Sequence, residues 1–148
     1  MTIATKPLPK GWPRISSSPV YANAAQAIDW LCKAFGFEVQ LKVEADGGKI
    51  AHSELVLPGG LIMIGDAEKE GRDWRKTPKQ AGGCTQALCV YVDDVDAHCE
   101  RARAAGATIA SEPKTTDYGE GYWADRSYEA IDPEGHHWWF MQRIQDHR

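Results

Sequence analysis

VYANAAQAIDWLCKAFGF, Val20 to Phe37, runs from the end of a strand through a whole helix and out again. Asn23 is a good N-cap, because its side-chain oxygen can take a free amide of the first turn. Ile28, Leu31, Cys32 and Phe35 then recur at helical spacing and predict one buried stripe. Gly36 supplies the left-handed residue that ends such a helix. A strand over Arg14–Tyr21 leads in. Three extended segments follow, Phe37–Glu44, Lys49–Leu57 and Leu61–Gly65, with Asp46-Gly47-Gly48 and Pro58-Gly59-Gly60 as the turns between them.

A shift of 70 positions sets Val20-Tyr21 on Val90-Tyr91 and Gly36 on Gly106, and the order of elements repeats. Ala87–Val92 reads as a strand. Asp93 or Asp94 caps a helix with Val95, Cys99 and Ala102 on its inner face. Thr108–Ser111, Arg126–Ile131 and His137–Gln142 read as strands, with Asp132-Pro133-Glu134-Gly135 as the last turn. The chain is thus an α+β protein of two βαβββ modules, about 12–66 and 85–144, within a single domain over 1–148. A charged linker or flap, 67–84, separates them and carries Trp74. A four-stranded sheet with a helix on one face leaves its other face open. Two such sheets side by side predict a curved, cup-shaped mixed sheet with the helices outside, a natural small-molecule site.

With 148 residues and a net charge of −4, the chain has no basic surface for nucleic acid or anionic membranes. Its longest apolar runs are too short to cross a bilayer, and the Pro-rich arm MTIATKPLPKGWP has no apolar signal core. A cytoplasmic protein is expected. Cys32, Cys84, Cys89 and Cys99 form no CxxC and are read as reduced thiols.

Ala27-Ile28-Asp29-Trp30-Leu31 with Phe35-Gly36-Phe37, then Val92-Asp93-Asp94-Val95-Asp96-Ala97, Ala105-Gly106-Ala107 and Asp132-Pro133-Glu134-Gly135-His136 carry a resemblance. The chain resembles the vicinal oxygen chelate superfamily, which includes glyoxalase I, extradiol dioxygenases and the fosfomycin- and bleomycin-resistance proteins. It looks most like the small glyoxalase-like proteins with Gly-Asp-Arg before the Asp-Pro turn, here Ala124-Asp125-Arg126. The likeness spans about Arg14 to Arg143, and it speaks for fold more than for one chemistry. It implies a homodimer, with modules exchanged between chains as one arrangement.

Members that use metal carry His, Gln or Glu at four strand positions. Here the resemblance puts Ser16, Met63, Gln86 or Ala87, and Trp139 there. The repeat favours Gln86 and the helix start favours Ala87. A thioether suits soft copper rather than zinc, iron or magnesium, an indole does not ligate, and a catalytic zinc takes about three protein ligands. No metal or other cofactor is expected.

Neighbouring strand residues face opposite ways, so His136 and His137 do not chelate one ion. His136 reads as exposed or bonded to backbone. His137 shares a face with Trp139, which the resemblance turns into the cup. His52 and Glu54 share the row opposite Ser53 and Leu55, facing the cup or a dimer partner. They read as an acid–base pair or as an ion pair of little worth. Ser16, Ser18, Met63, Gln86 and Trp139 are candidate ligand contacts. Trp74, Trp123, Arg126 and Tyr128 are candidate rim residues, by stacking or by meeting an anionic or carbonyl group. Arg126 has Asp132 or Glu129 as structural alternatives.

The sequence therefore points to a metal-free protein that binds a small aromatic or amphipathic molecule in a concave cup. The alternative is a lyase or isomerase of the glyoxalase I type. It would use His52, Glu54 and His137 either as acid and base or as recruited ligands of a divalent metal.

Overall fold

The computed structural model describes residues 6–148; Met1–Thr5, the start of the expected arm, lie outside them. The first half runs β1 (Val20–Tyr21), α1 (Ala24–Phe35), β2 (Glu38–Glu44), β3 (Ile50–Leu57), β4 (Gly60–Ile62) and β5 (Gly65–Asp66). After a helical turn, α2 (Pro78–Ala81), come β6 (Leu88–Tyr91), α3 (Val95–Ala104), β7 (Thr108–Asp117), β8 (Trp123–Ile131) and β9 (His137–Asp146).

Both helices start and stop where their caps dictate. Asn23 accepts from Gln26 N at 3.1 Å, and Gly36 turns left-handed with φ 80°. Asp94, not Asp93, caps α3 and accepts from Ala97 N at 3.0 Å. Val95, Cys99 and Ala102 are all buried, as their spacing predicts.

The second half forms one sheet, in the order β6-β9-β8-β7, with β6 and β9 parallel and the other pairs antiparallel. The first half repeats that order in broken form. β2-β3-β4 is antiparallel and β1 pairs with β5 in parallel, while a parallel bridge from Ser17 to Ile62 ties the two pieces. Two local causes break it. Pro19 has no amide to donate, so the expected strand over Arg14–Tyr21 shrinks to Val20–Tyr21 and one bridge. Across from it, the hydroxyl of Ser53 donates to Ile64 O at 2.6 Å and accepts from Ile64 N at 2.9 Å, replacing the ladder between β4 and β5.

β7 is longer than the expected Thr108–Ser111. It passes through Pro113 as an edge strand with irregular register between Ser111 and Lys114, the setting in which a strand tolerates proline. β8 begins at Trp123, three residues before the expected Arg126. In the linker, Thr77 and Gln80 form a capping box that starts α2.

A single core joins the halves. Ile28, Leu31 and Phe35 of α1, Leu55 of β3, Val95 and Cys99 of α3, and Tyr128, Trp138 and Phe140 are all buried in it. The Phe35 ring lies 5.1 Å from Trp138 and 4.6 Å from Phe140. Trp30 Nε1 donates to Ala105 O at 2.8 Å, and Arg101 donates to the Lys33 and Cys32 carbonyls at the end of α1. Each half turns one sheet face to this core and leaves the other open.

Candidate functional site

Alternation along the strands sorts the candidate residues by face. On β8 and β9, Tyr128, Ala130, Trp138 and Phe140 point into the core. Ser127, Glu129, His137, Trp139 and Met141 therefore stand on the open face. Glu129 pairs across the ladder with Trp139, and Ile131 with His137. The Glu129 carboxylate meets His137 Nδ1 at 2.6 Å, so Nε2 is the ring nitrogen not engaged by it. Glu129 is the partner that sequence reasoning did not assign to His137; only the cross-strand register brings them together.

Further along the same face, Arg143 bonds to Asp125 and to Tyr91 OH, which in turn donates to Asp125 at 3.0 Å. The Arg143 guanidinium also lies 4.8 Å from the centre of the Trp123 ring. Trp123 is thus held by cations, with Arg148 at 5.2 Å on it as well.

Arg126 and Tyr128, expected at a rim, lie on the opposite face. Arg126 makes two 2.8 Å bonds to Asp96 of α3, which hold that carboxyl below its usual range. Neither Asp132 nor Glu129 is its partner. Tyr128 is fully buried against His98, Nδ1 to OH at 2.7 Å. Burial pushes its phenol above the ordinary value.

On the first sheet, Leu55 and Ile62 face the core, so His52, Glu54 and Met63 stand on the open side. His52 Nε2 is 3.0 Å from Glu54 Oε1, and Gln40 donates to Glu54 Oε2 at 2.7 Å. These two bonds lower the Glu54 pKa, the one from His52 most. Leu41 and Val43 pair with Glu54 and His52 across the strands and flank them. A hollow of about 370 Å³ opens here, lined among others by Ser18, His52, Met63, Lys69 and Arg75. Its walls come from the first half and the linker alone; Trp139 and His137 do not line it.

Ser16 instead lines a second groove of about 350 Å³ between the β4 turn and β6, together with Cys89 and Tyr91. Its hydroxyl is buried without a hydrogen-bond partner among the described residues. Gln86 is exposed and donates to Ser17 Oγ at 3.4 Å. Trp74, in the linker, is 72% exposed. His136 sits on backbone, Nε2 to Val20 O at 2.8 Å.

By the resemblance, the four positions where metal-using members carry ligands hold Ser16, Met63, Gln86 or Ala87, and Trp139. Among the described residues, no three His, Cys, Asp or Glu side chains gather to hold an ion. This donor set does not fit a divalent metal.

Comparison with known proteins bears on the fold and the family. An uncharacterised protein of Mycobacterium bovis is 33% identical over 135 residues, covering 90% of this chain and 86% of that protein. TioX from Micromonospora sp. ML1 superposes with a TM-score of 0.69 at 29% identity, covering 90% of this chain and all of TioX. TnmS3 from Streptomyces sp. CB03234, an antibiotic binding protein, shares the fold with a TM-score of 0.57 at 21% identity, covering 86% of this chain and 91% of TnmS3. A model of the Glyoxalase/Bleomycin resistance protein/Dioxygenase superfamily matches residues 20–140. Two βαβββ halves on one core, matched over most of the length, make the chain a member of the Glyoxalase/Bleomycin resistance protein/Dioxygenase superfamily.

Proposed function

We propose that this protein binds a small aromatic or amphipathic molecule on the open faces of its sheets, without a metal and without making or breaking bonds. The observation that carries the reading is Trp139. Its indole stands on an open face across the ladder from Glu129, which holds His137, and the resemblance sets it where metal-using members carry a ligand atom. Such a face offers stacking and a hydrogen-bonding nitrogen rather than Lewis acidity. That TnmS3, which shares the fold, is an antibiotic binding protein supports the same use.

The working form is a cytoplasmic homodimer. The hollow beside Met63 and the face bearing Trp139 are separate surfaces of one chain, and a second copy, with modules exchanged or not, would let one ligand meet both.

A ligand screen followed by tryptophan fluorescence tests the reading. Aromatic compounds should quench the emission, and Trp139→Ala should weaken binding about tenfold, the scale of one lost stacking contact. Trp123→Ala should weaken it less, because that ring is already covered by Arg143 and Arg148.

The two His–Glu pairs favour a second reading, an acid–base lyase or isomerase with His137 or His52 as the proton carrier. Turnover of a hemithioacetal by untagged protein would establish that reading and displace the first. Metal analysis of the same sample, with activity lost to a chelator, would identify the metal-dependent form.

A further inference from the structure

The hollow on the first sheet holds a cation that makes no salt bridge among the described residues. Arg75 reaches it from the linker and is held at two points. Its Nη2 donates to Asp66 O at 3.1 Å, and it lies so close to Gly65 that a Cβ there would stand 2.7 Å from Nη2. Its Nε is buried with no partner among the described residues. No carboxylate oxygen of the described residues lies within salt-bridge distance of it; the Asp66 carboxylate is occupied by the amides of Ala24 and Ile50. Burial and the nearby Arg72 disfavour its charge, and the Asp66 carboxylate offsets them only in part.

Lys49 and Lys69 line the same hollow. The only acids there besides Asp66 belong to Glu68, an exposed side chain that touches Lys49 at 3.8 Å. A chain of net charge −4 thus gathers three cations, and half-buries one of them with no salt bridge among the described residues, around a space that Ser18, His52 and Met63 also line. A partly desolvated guanidinium with unused donors is costly unless something arrives to accept from it. Its planar fork matches an oxyanion.

We propose that Arg75 is the anchor of an oxyanion subsite, and that the ligand carries a carboxylate or phosphate group which docks in this hollow while its apolar part lies along the sheet. This deepens the small-molecule reading above and rests on it for the apolar part alone.

Two measurements separate the anchor from that reading. Inorganic phosphate, titrated against sodium chloride at constant ionic strength, should raise the midpoint of thermal unfolding of the wild type. It should do so far less for Arg75→Gln. Lys76→Gln, which removes an exposed neighbouring charge outside this hollow, should respond like the wild type. In the second arm, benzoate should quench tryptophan fluorescence about tenfold more tightly than benzyl alcohol, the scale of one charge-assisted bond, and Arg75→Gln should remove the difference. Arg75→Lys, which keeps charge but not the fork, should keep part of it. Phosphate stabilisation with no benzoate binding leaves the anchor standing as a free-anion site and defeats the aromatic reading. Equal phosphate responses in wild type and Arg75→Gln, or a benzoate preference that survives in Arg75→Gln, overturn the anchor.

Discussion

Asp132 ties the two halves through one carboxylate. Tyr21 OH donates to Oδ2 at 2.7 Å and Trp138 Nε1 to the same oxygen at 3.1 Å, while the amides of Glu134 and His136 both reach Oδ1 at 3.0 Å. It accepts from four donors and is only 4% exposed. Asp132→Asn keeps the shape but turns an NH₂ toward a donor pair. It should cost about 3 kcal/mol in urea unfolding, against about 1 kcal/mol for Tyr21→Phe, which removes one bond and leaves the acceptor otherwise satisfied. His98 makes a second prediction. Its Nε2 donates to Phe35 O at 3.0 Å and its Nδ1 faces Tyr128 OH, so the ring fits as the neutral tautomer. Burial, against the Phe35 bond, lowers its pKa below 6.5. The unfolded chain therefore takes up the proton first, and the contribution of His98 to stability is complete above pH 6.5 and lost as pH falls toward the folded value. Unfolding free energy measured from pH 7.5 down to 5 should decline, and His98→Gln should flatten part of that decline. At this scale residue types are legible in the sequence and faces are not. His136 on backbone followed from the turn. Arg126 and Tyr128 were placed wrongly at the rim, because alternation says which residues share a face and not which face meets the helix. Glu129 was invisible as the partner of His137 because register is a property of two strands.

Elements were more legible, since caps and periodicity are local. Asn23, Gly36 and Asp94 marked helix ends that the structure keeps, and the 70-residue repeat announced a strand order that both halves follow. Three features escaped for identifiable reasons. β7 runs past the expected Ser111, because an edge strand tolerates Pro113 where its register is irregular. Met63 and Ile64 read as continuous strand, because nothing local shows that the Ser53 hydroxyl takes over the ladder. The Thr77–Gln80 box was legible and hidden only by the charged linker around it. The junction of α1 and α3 yields a third prediction. Gly36 is left-handed, and a Cβ on it would stand 3.1 Å from Arg101 Nη1, the side chain that closes the end of α1 from α3. Gly36→Ala should cost about 1–2 kcal/mol, from backbone strain and from displacing Arg101. Arg101→Gln made alone and then in the Gly36→Ala background should show costs that do not add, because both act on the same carbonyls. A double-mutant cycle by chemical unfolding reads this directly; additive costs would mean that the arginine is not engaged there.

For the whole molecule, the open question is what lies against β2. Among the described residues it pairs only with β3 and its other edge makes no ladder, and every one of its residues is exposed. Val39, Leu41 and Val43 are each more than 40% exposed, and Leu41 and Val43 border His52 and Glu54 on the open face. A free edge carrying apolar side chains on a stable protein is ordinarily covered, because uncovered it would pair with any available strand. The charges on the strand, Glu38, Lys42 and Glu44, discourage indiscriminate pairing, while Lys42 is engaged with Glu44 at 3.0 Å. A specific second copy would satisfy both demands, and the surface thereby supports the proposed dimer. Light scattering after gel filtration should give twice the 16.4 kDa chain mass for the wild type. The double variant Leu41→Lys, Val43→Lys should run at the single-chain mass with its fold intact by circular dichroism. That monomer should also lose quenching by aromatic compounds, although Trp139 is untouched, if one ligand spans two chains. Should the monomer bind aromatics as tightly as the wild type, the indole face alone is the site, and the dimer serves only to protect the edge of β2.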